Sequence, residues 1–147
     1  MDSTHKMNEN ISIKISSTPL SIDQAYQSIL DRTCGGNCLF IGTVRNKNKG
    51  ESVTHLDFDT YDSMALKEMM RIAQQALAQF DIQKIAIHHR KGPVGITEIA
   101  VIIAVSSGHR DASIKACRFA IDTLKDTVPI WKKEHLKDGS YWVGARP

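Results

Sequence analysis

No stretch of this 147-residue chain approaches the roughly 20 consecutive apolar residues that span a bilayer. Its opening, MDSTHKMNENISIKIS, lacks the charged-then-apolar pattern and cleavage site of a secretory leader, so the cytoplasm is the expected compartment. Cysteine is scarce, and Cys34, Cys38 and Cys117 cannot all pair within one chain, which favours reduced thiols. A glycine-rich phosphate loop is missing; Gly35-Gly36 reads only as a turn signal. Metal-ligand spacing is missing too. Cys34 and Cys38 have no second Cys or His pair, and the adjacent His88 and His89 would point to opposite faces of a strand. No metal and no resident cofactor is expected. Repeats, low-complexity tracts and linkers are also absent, so residues 1–147 read as one domain. The net charge of +3 permits a phosphate or nucleic-acid partner without requiring one.

What is present is an ordinary globular composition, 41% hydrophobic and 24% charged. Ile11 to Ile15 alternates as a short strand. Ser21-Ile22-Asp23-Gln24 then opens a helix with a hydroxyl cap, with Ile22, Tyr26 and Ile29 on one side. The β-rich run Cys38 to Val44 leads into the basic loop Arg45–Gly50, and alternation resumes from Val53 to Tyr61, which fits a strand–loop–strand hairpin. Asp62 is placed to cap a helix with Leu66, Met69, Met70, Ala73, Leu77 and Phe80 at helical spacing. Ile82–His88 reads as a strand, Lys91–Gly95 as a turn, and Glu98–Ser106 as a strand apolar enough to be buried on both faces. A helix from about Asp111 carries Ile114, Cys117, Ile121 and Leu124 inward and ends before Pro129. Ile130 to Val143 reads as a hairpin turning at Lys137-Asp138-Gly139. The expected class is α+β with a largely antiparallel sheet.

Several cationic side chains stand at element ends. His109-Arg110 joins the buried strand to its helix, where unpaired N–H groups favour an anion; a surface pair bonded to nearby carbonyls fits equally. Lys125 lies on the last helical turn at the edge of the apolar stripe. There it either complements the helix dipole and pairs with Asp122, or faces a site as the less solvated of two lysines. Lys132, beside Trp131 and Lys133-Glu134, follows Pro129, and the short span from Lys125 lets both lysines reach one cleft if the chain turns there. Arg45 opens the basic loop either as a solvated residue or as an anion clamp. Cys117, on an inner helix stripe, reads as an inert small hydrophobe.

In order along the chain, Phe40-Ile41-Gly42-Thr43-Val44-Arg45-Asn46, Leu56 to Tyr61 with Met64-Ala65, His89-Arg90-Lys91-Gly92, Ser106 to Arg110, Leu124-Lys125 through Glu134, and Asp138-Gly139 with Trp142-Val143 make a specific set. They resemble the catalytic (large) subunit of molybdopterin synthase from about Phe40 to Arg146. Two departures stand out: Asp57 and Asp59 where the family usually has Glu, and Thr97 where it usually has Gly before the acidic Glu98. The resemblance implies an α/β hammerhead fold. It also implies a sulfur transfer from the C-terminal thiocarboxylate of a small ubiquitin-like subunit to cyclic pyranopterin monophosphate, forming the dithiolene of molybdopterin. A homodimer within a heterotetramer is implied, with neither nucleic acid nor membrane as partner. It further implies Lys125 and Lys132 as catalytic, Thr43, Val44, Arg45, His109, Arg110, Lys133 and Glu134 as substrate contacts, and Arg146 reaching toward the second protomer's pocket. The competing reading is a small basic nucleotide- or RNA-binding module using the Arg45–Lys49 loop, against which stand the missing aromatic platform and RNP-like or helix-turn-helix patterns.

Overall fold

The computed structural model describes residues 3–144. Thirteen elements follow in order: β1 (Ser3–Met7), β2 (Ile11–Ser16), α1 (Ile22–Ile29), β3 (Gly36–Thr43), β4 (Lys47–Asn48), β5 (Glu51–Thr60), α2 (Asp62–Gln79), β6 (Ile82–Arg90), β7 (Gly92–Gly95), β8 (Ile99–Ser107), α3 (Arg110–Thr127), β9 (Ile130–Leu136) and β10 (Tyr141–Gly144). One sheet runs β1-β2-β6-β8-β3; the other runs β10-β9-β5-β4, with β7 also on β5. Every pairing is antiparallel except β2 with β6. This is the mixed α+β architecture expected from the pattern of elements. Among the described residues, no helix is long and apolar enough to cross a membrane.

The first sheet is covered on both faces, which explains the unbroken apolar run of β8. Val101, Ile103 and Val105 face the main core with α2 and α3, while Ile102 and Ala104 face the smaller cluster under α1. α1 starts as expected, with the Ser21 hydroxyl accepting the Gln24 N–H at 3.0 Å. Its buried residues are Ala25 and Ile29, whereas Ile22 and Tyr26 stay exposed, because an eight-residue helix lying flat on a sheet buries only a narrow stripe. On α3, Cys117, Ile121 and Leu124 are buried as expected, but Ile114 is exposed and the small Ser113, Ala116 and Ala120 complete the inner face.

Three local expectations change. The runs around β3 and β5 do not form a hairpin: β3 pairs with β8 in the first sheet, and β5 pairs with β4, β7 and β9 in the second. The chain passes between the sheets at Val44–Asn46. Lys91–Gly95 is not a free turn, since Gly92–Gly95 forms β7 against His55–Phe58. Asp62 is the first helical residue rather than the cap; its carboxylate accepts from Lys91 Nζ at 2.7 Å and from the Thr60 hydroxyl. The hairpin at Gly139 is present, with that glycine at φ +90° as a tight turn requires.

Candidate functional site

Pro129 ends α3 and sends the chain into β9, and this turn brings Lys125 and Lys132 to the same cavity, as the short spacing predicts. The cavity holds about 130 Å³ and is also bordered by Thr43 and Val44 at the end of β3, with Phe40, Leu56, Phe58, His89 and Leu124 among its walls. Lys125 sits in the last turn of α3, where the negative end of the helix dipole favours an ammonium. Asp122 faces Arg118 instead, at 3.5 Å, so Lys125 has no ion pair among the described residues. The solvation order of the lysines is the reverse of that expected. Lys125 is exposed because it ends the helix, and Lys132 is half-buried because β9 lies inside the second sheet, flanked by β10 and β5.

One of the walls, His89, is not evident from the sequence. His89 is buried on β6, packs edge-on against Phe58 with ring centres 5.1 Å apart, and has Nδ1 2.7 Å from the Arg90 carbonyl. That contact makes Nδ1 the protonated nitrogen, and burial pulls the ring down to about 4 despite the carbonyl acting the other way, so His89 is neutral at pH 7. Its position in an apolar strand reads as core. Only the folding of β5 and β9 over the sheet makes it a cavity wall.

Lys132 also borders a second, larger groove of about 690 Å³, together with Lys133, Trp131, Lys91, Val143 and the carboxylates Asp57, Asp59 and Asp62. The two aspartates that stand in place of glutamate thus line this groove. Burial works to raise the Asp62 carboxyl, but the hydrogen bonds and charge of Lys91 and the Thr60 hydroxyl outweigh it and hold the group below the usual carboxylate range. Lys133 Nζ stands 3.8 Å over the Tyr141 ring, a cation–π contact that orients it.

The other site candidates are placed differently. Val44 is buried, and its N–H and carbonyl are both bonded to the Thr97–Glu98 turn. Glu134 is buried, and both its carboxylate oxygens accept from Asn48 Nδ2, at 2.8 and 2.9 Å, so it ties β9 to β4. Arg45 projects exposed from the crossover between the sheets. His109, the N-cap of α3, and Arg110 are exposed at the end of the helix opposite Lys125. At 1.5 Å per residue, Arg110 lies roughly 22 Å along the axis from Lys125. A single chain therefore groups Thr43, Val44, Lys125 and Lys132, with Lys133 adjacent, and leaves His109 and Arg110 apart. Arg146 lies outside the described residues.

Gly36 is more than a turn signal. A Cβ there would stand 2.7 Å from the Arg110 backbone nitrogen and 2.9 Å from its Cα, so the start of β3 supports the start of α3. Thr97 holds φ +69°, the conformation for which the family's glycine is suited, so the turn before Glu98 is kept without it. Cys34, Cys38 and Cys117 are free thiols, and burial first, then the neighbouring Cys38, pushes Cys117 up to about 12. Among the described residues, no group of three or more His, Cys, Asp or Glu side chains is placed to hold a metal ion.

A family model described as MoaE protein matches residues 15–127. The molybdopterin synthase catalytic subunit of Dictyostelium discoideum is 45% identical over 138 residues, covering 91% of this chain and 87% of that protein. The molybdopterin synthase catalytic subunit of Homo sapiens is 40% identical over 146 residues, covering 99% of this chain and 77% of that protein. The crystal structure of molybdopterin synthase from Staphylococcus aureus superposes with a TM-score of 0.85 at 32% identity, covering 95% of this chain and 98% of that one. A complex of subunits 1 and 2 of molybdopterin-converting factor from Helicobacter pylori, at 22% identity and a TM-score of 0.72, shares the fold. The chain belongs to the MoaE family, the catalytic subunits of molybdopterin synthase.

Proposed function

We propose that this chain, acting as one unit, moves sulfur from the C-terminal thiocarboxylate of a small ubiquitin-like subunit onto cyclic pyranopterin monophosphate, giving the dithiolene of molybdopterin. The observation that carries the reading is the meeting of Lys125 and Lys132 at one small cavity whose other walls are mostly apolar. Both reactants are anionic. Attack on the thiocarboxylate carbon places charge on oxygen, which a fixed ammonium in a water-poor space stabilises by several kcal/mol. Proton movement on the pterin needs a group that can release and recover a proton, a role suited to the less solvated Lys132. Neutral His89 holds the adjoining wall without adding competing charge.

We assign the peptide tail of the small subunit to the large groove beside Lys132, whose mixed lysine and aspartate lining suits a polar main chain. His109 and Arg110, too far along α3 to serve Lys125 of their own chain, fit a site completed by a second copy. β3 supports that arrangement. It is an edge strand, has no charged residue or proline, and leaves Phe40 and Ile41 partly exposed, an edge usually covered by a neighbour. Three free thiols favour a reducing compartment, and we place the protein in the cytoplasm. The test is to combine the chain with a thiocarboxylated small subunit and the cyclic pterin precursor, and to assay for dithiolene. Product should accumulate in proportion to carrier consumed; none with a competent carrier would overturn the reading.

A further inference from the structure

Arg45 sits between two sets of contacts that fix the chain on either side of it while its own side chain stays free. On one side, the Val44 peptide is gripped from both directions: its N–H donates to the Glu98 carbonyl at 3.0 Å, and its carbonyl accepts the Thr97 N–H at 2.7 Å. The gripping element is the turn Gly95–Glu98, closed by Glu98 N–H to the Gly95 carbonyl at 3.0 Å. Positive φ at its third residue, Thr97, marks a type II turn. The Glu98 side chain locks that turn, since Oε1 accepts the Gly95 N–H at 2.7 Å and lies 3.9 Å from Nη1 of the buried Arg90. On the other side, the Asn46 carbonyl accepts from Val53 N–H at 2.8 Å, and Asn48 donates to the buried Glu134 carboxylate.

This arrangement is costly to keep for a loop with no task. A threonine is held in the left-handed region, a carboxylate is sequestered on β9, and Arg90 is buried with Nε lacking a partner among the described residues. All three features converge on one short segment, and the register of β3 on β8 also shifts at Gly42/Thr43, immediately before it.

We propose that Glu98 and Asn48 are positioning residues for Arg45: together they fix the crossover backbone so that the guanidinium is presented to the anionic substrate from a main chain that is already ordered. The proposal rests on the reading of Arg45 as a substrate contact. An arginine on a loose loop must lose backbone freedom on binding as well as side-chain freedom, whereas one between two fixed points has lost the backbone part beforehand.

The experiment is a pair of double-mutant cycles on the complete enzyme with saturating thiocarboxylated carrier, reading KM and kcat for the cyclic pterin. Glu98→Ala and Asn48→Ala are each made alone and with Arg45→Ala. Each single variant should raise KM by about two- to tenfold with kcat within about twofold of the parent. Neither should raise it further once Arg45 is alanine. Glu98→Gln, whose amide oxygen still accepts from Gly95, should restore the parent KM. Asn48→Ala carries the test by itself if Glu98→Ala does not fold. Equal KM increases with and without Arg45, or no increase while Arg45→Ala alone raises KM, would overturn the positioning role and leave Arg45 as a contact. An Arg45→Ala enzyme with parental KM would instead remove the contact itself, and the proposal with it.

Discussion

His88 and His89 make the fold sensitive to mild acid. Both are buried on β6, His88 facing α1's side of the sheet toward β1 and β2, His89 facing the core and the cavity. Each ring is held down to about 4, burial being the main cause; for His88 the neighbouring His5 and Lys14 add to it, and for His89 the Arg90 carbonyl opposes it. In the unfolded chain each takes up a proton near pH 6.5. Between about pH 6.5 and 4 the unfolded state therefore binds more protons than the folded one, and stability is lost as pH falls through that window. Each histidine contributes a slope of up to about 1.4 kcal/mol per pH unit, so the pair removes about 3 kcal/mol between pH 7.5 and 5.5. That is a large share of the roughly 5–15 kcal/mol a domain typically has. His5 and His135 are shifted in the same direction, mainly by burial, and steepen the loss. The depressed carboxyls Asp62 and Glu68 contribute in a separate, more acid window, since each is held below its ordinary carboxylate value and its stabilisation is lost only as pH falls through that range. Urea unfolding at half-unit steps from pH 7.5 to 5.5 measures the slope, and a His88→Gln/His89→Leu variant should lose most of it whatever its absolute stability. A flat profile in the parent, or an undiminished slope in the variant, would refute the assignment.

Thr97→Gly should raise stability by about 1 kcal/mol, because relief of the left-handed strain exceeds glycine's added chain entropy; thermal melting reads the difference. Gly36→Ala should cost about 1–3 kcal/mol, since a methyl group there meets the Arg110 backbone, and calorimetry should show weaker precursor binding because His109 and Arg110 move with it. Lys125→Ala and Lys132→Ala should fold normally, the dipole or ion-pair contribution of each being at most about 1 kcal/mol, yet each should lose at least about a hundredfold in turnover. Lys132→Arg should not recover it, because guanidinium keeps the charge but does not release its proton.

Much of this was legible in the sequence for physical reasons that can be named. Helix α3 and strand β8 declare themselves because 3.6-residue periodicity and an unbroken apolar run survive any tertiary arrangement. Lys125 and Lys132 could be brought together because few residues separate them and Pro129 forces the turn. Strand partners were less accessible. Nothing local tells β3 to pair with β8, or Gly92–Gly95 to pair with β5, since both depend on where distant chain arrives. The resemblance implies Glu134 as a site residue; that it holds Asn48 emerges only when β4 is laid beside β5. The separation of Arg110 from Lys125 was available from helix length alone, and the resemblance, which groups them by role, hid it.

The connectivity of the first sheet also fixes when it can form. β2 is made early, yet its parallel partner β6 begins at Ile82, and β3 waits for β8, which ends at Ser107. With β8 absent, β6 and β3 each lack a neighbour and α1 has only half its floor. During synthesis β1, β2 and β6 can meet α1 and α2 before β8 arrives, but the sheet stays open along the β6 edge and β3 has no place in it. Closure is a late, long-range event of the kind that sets slow folding rates. Arrival of β8, which ends at Ser107, is the step after which the first sheet can close and β3 can join it.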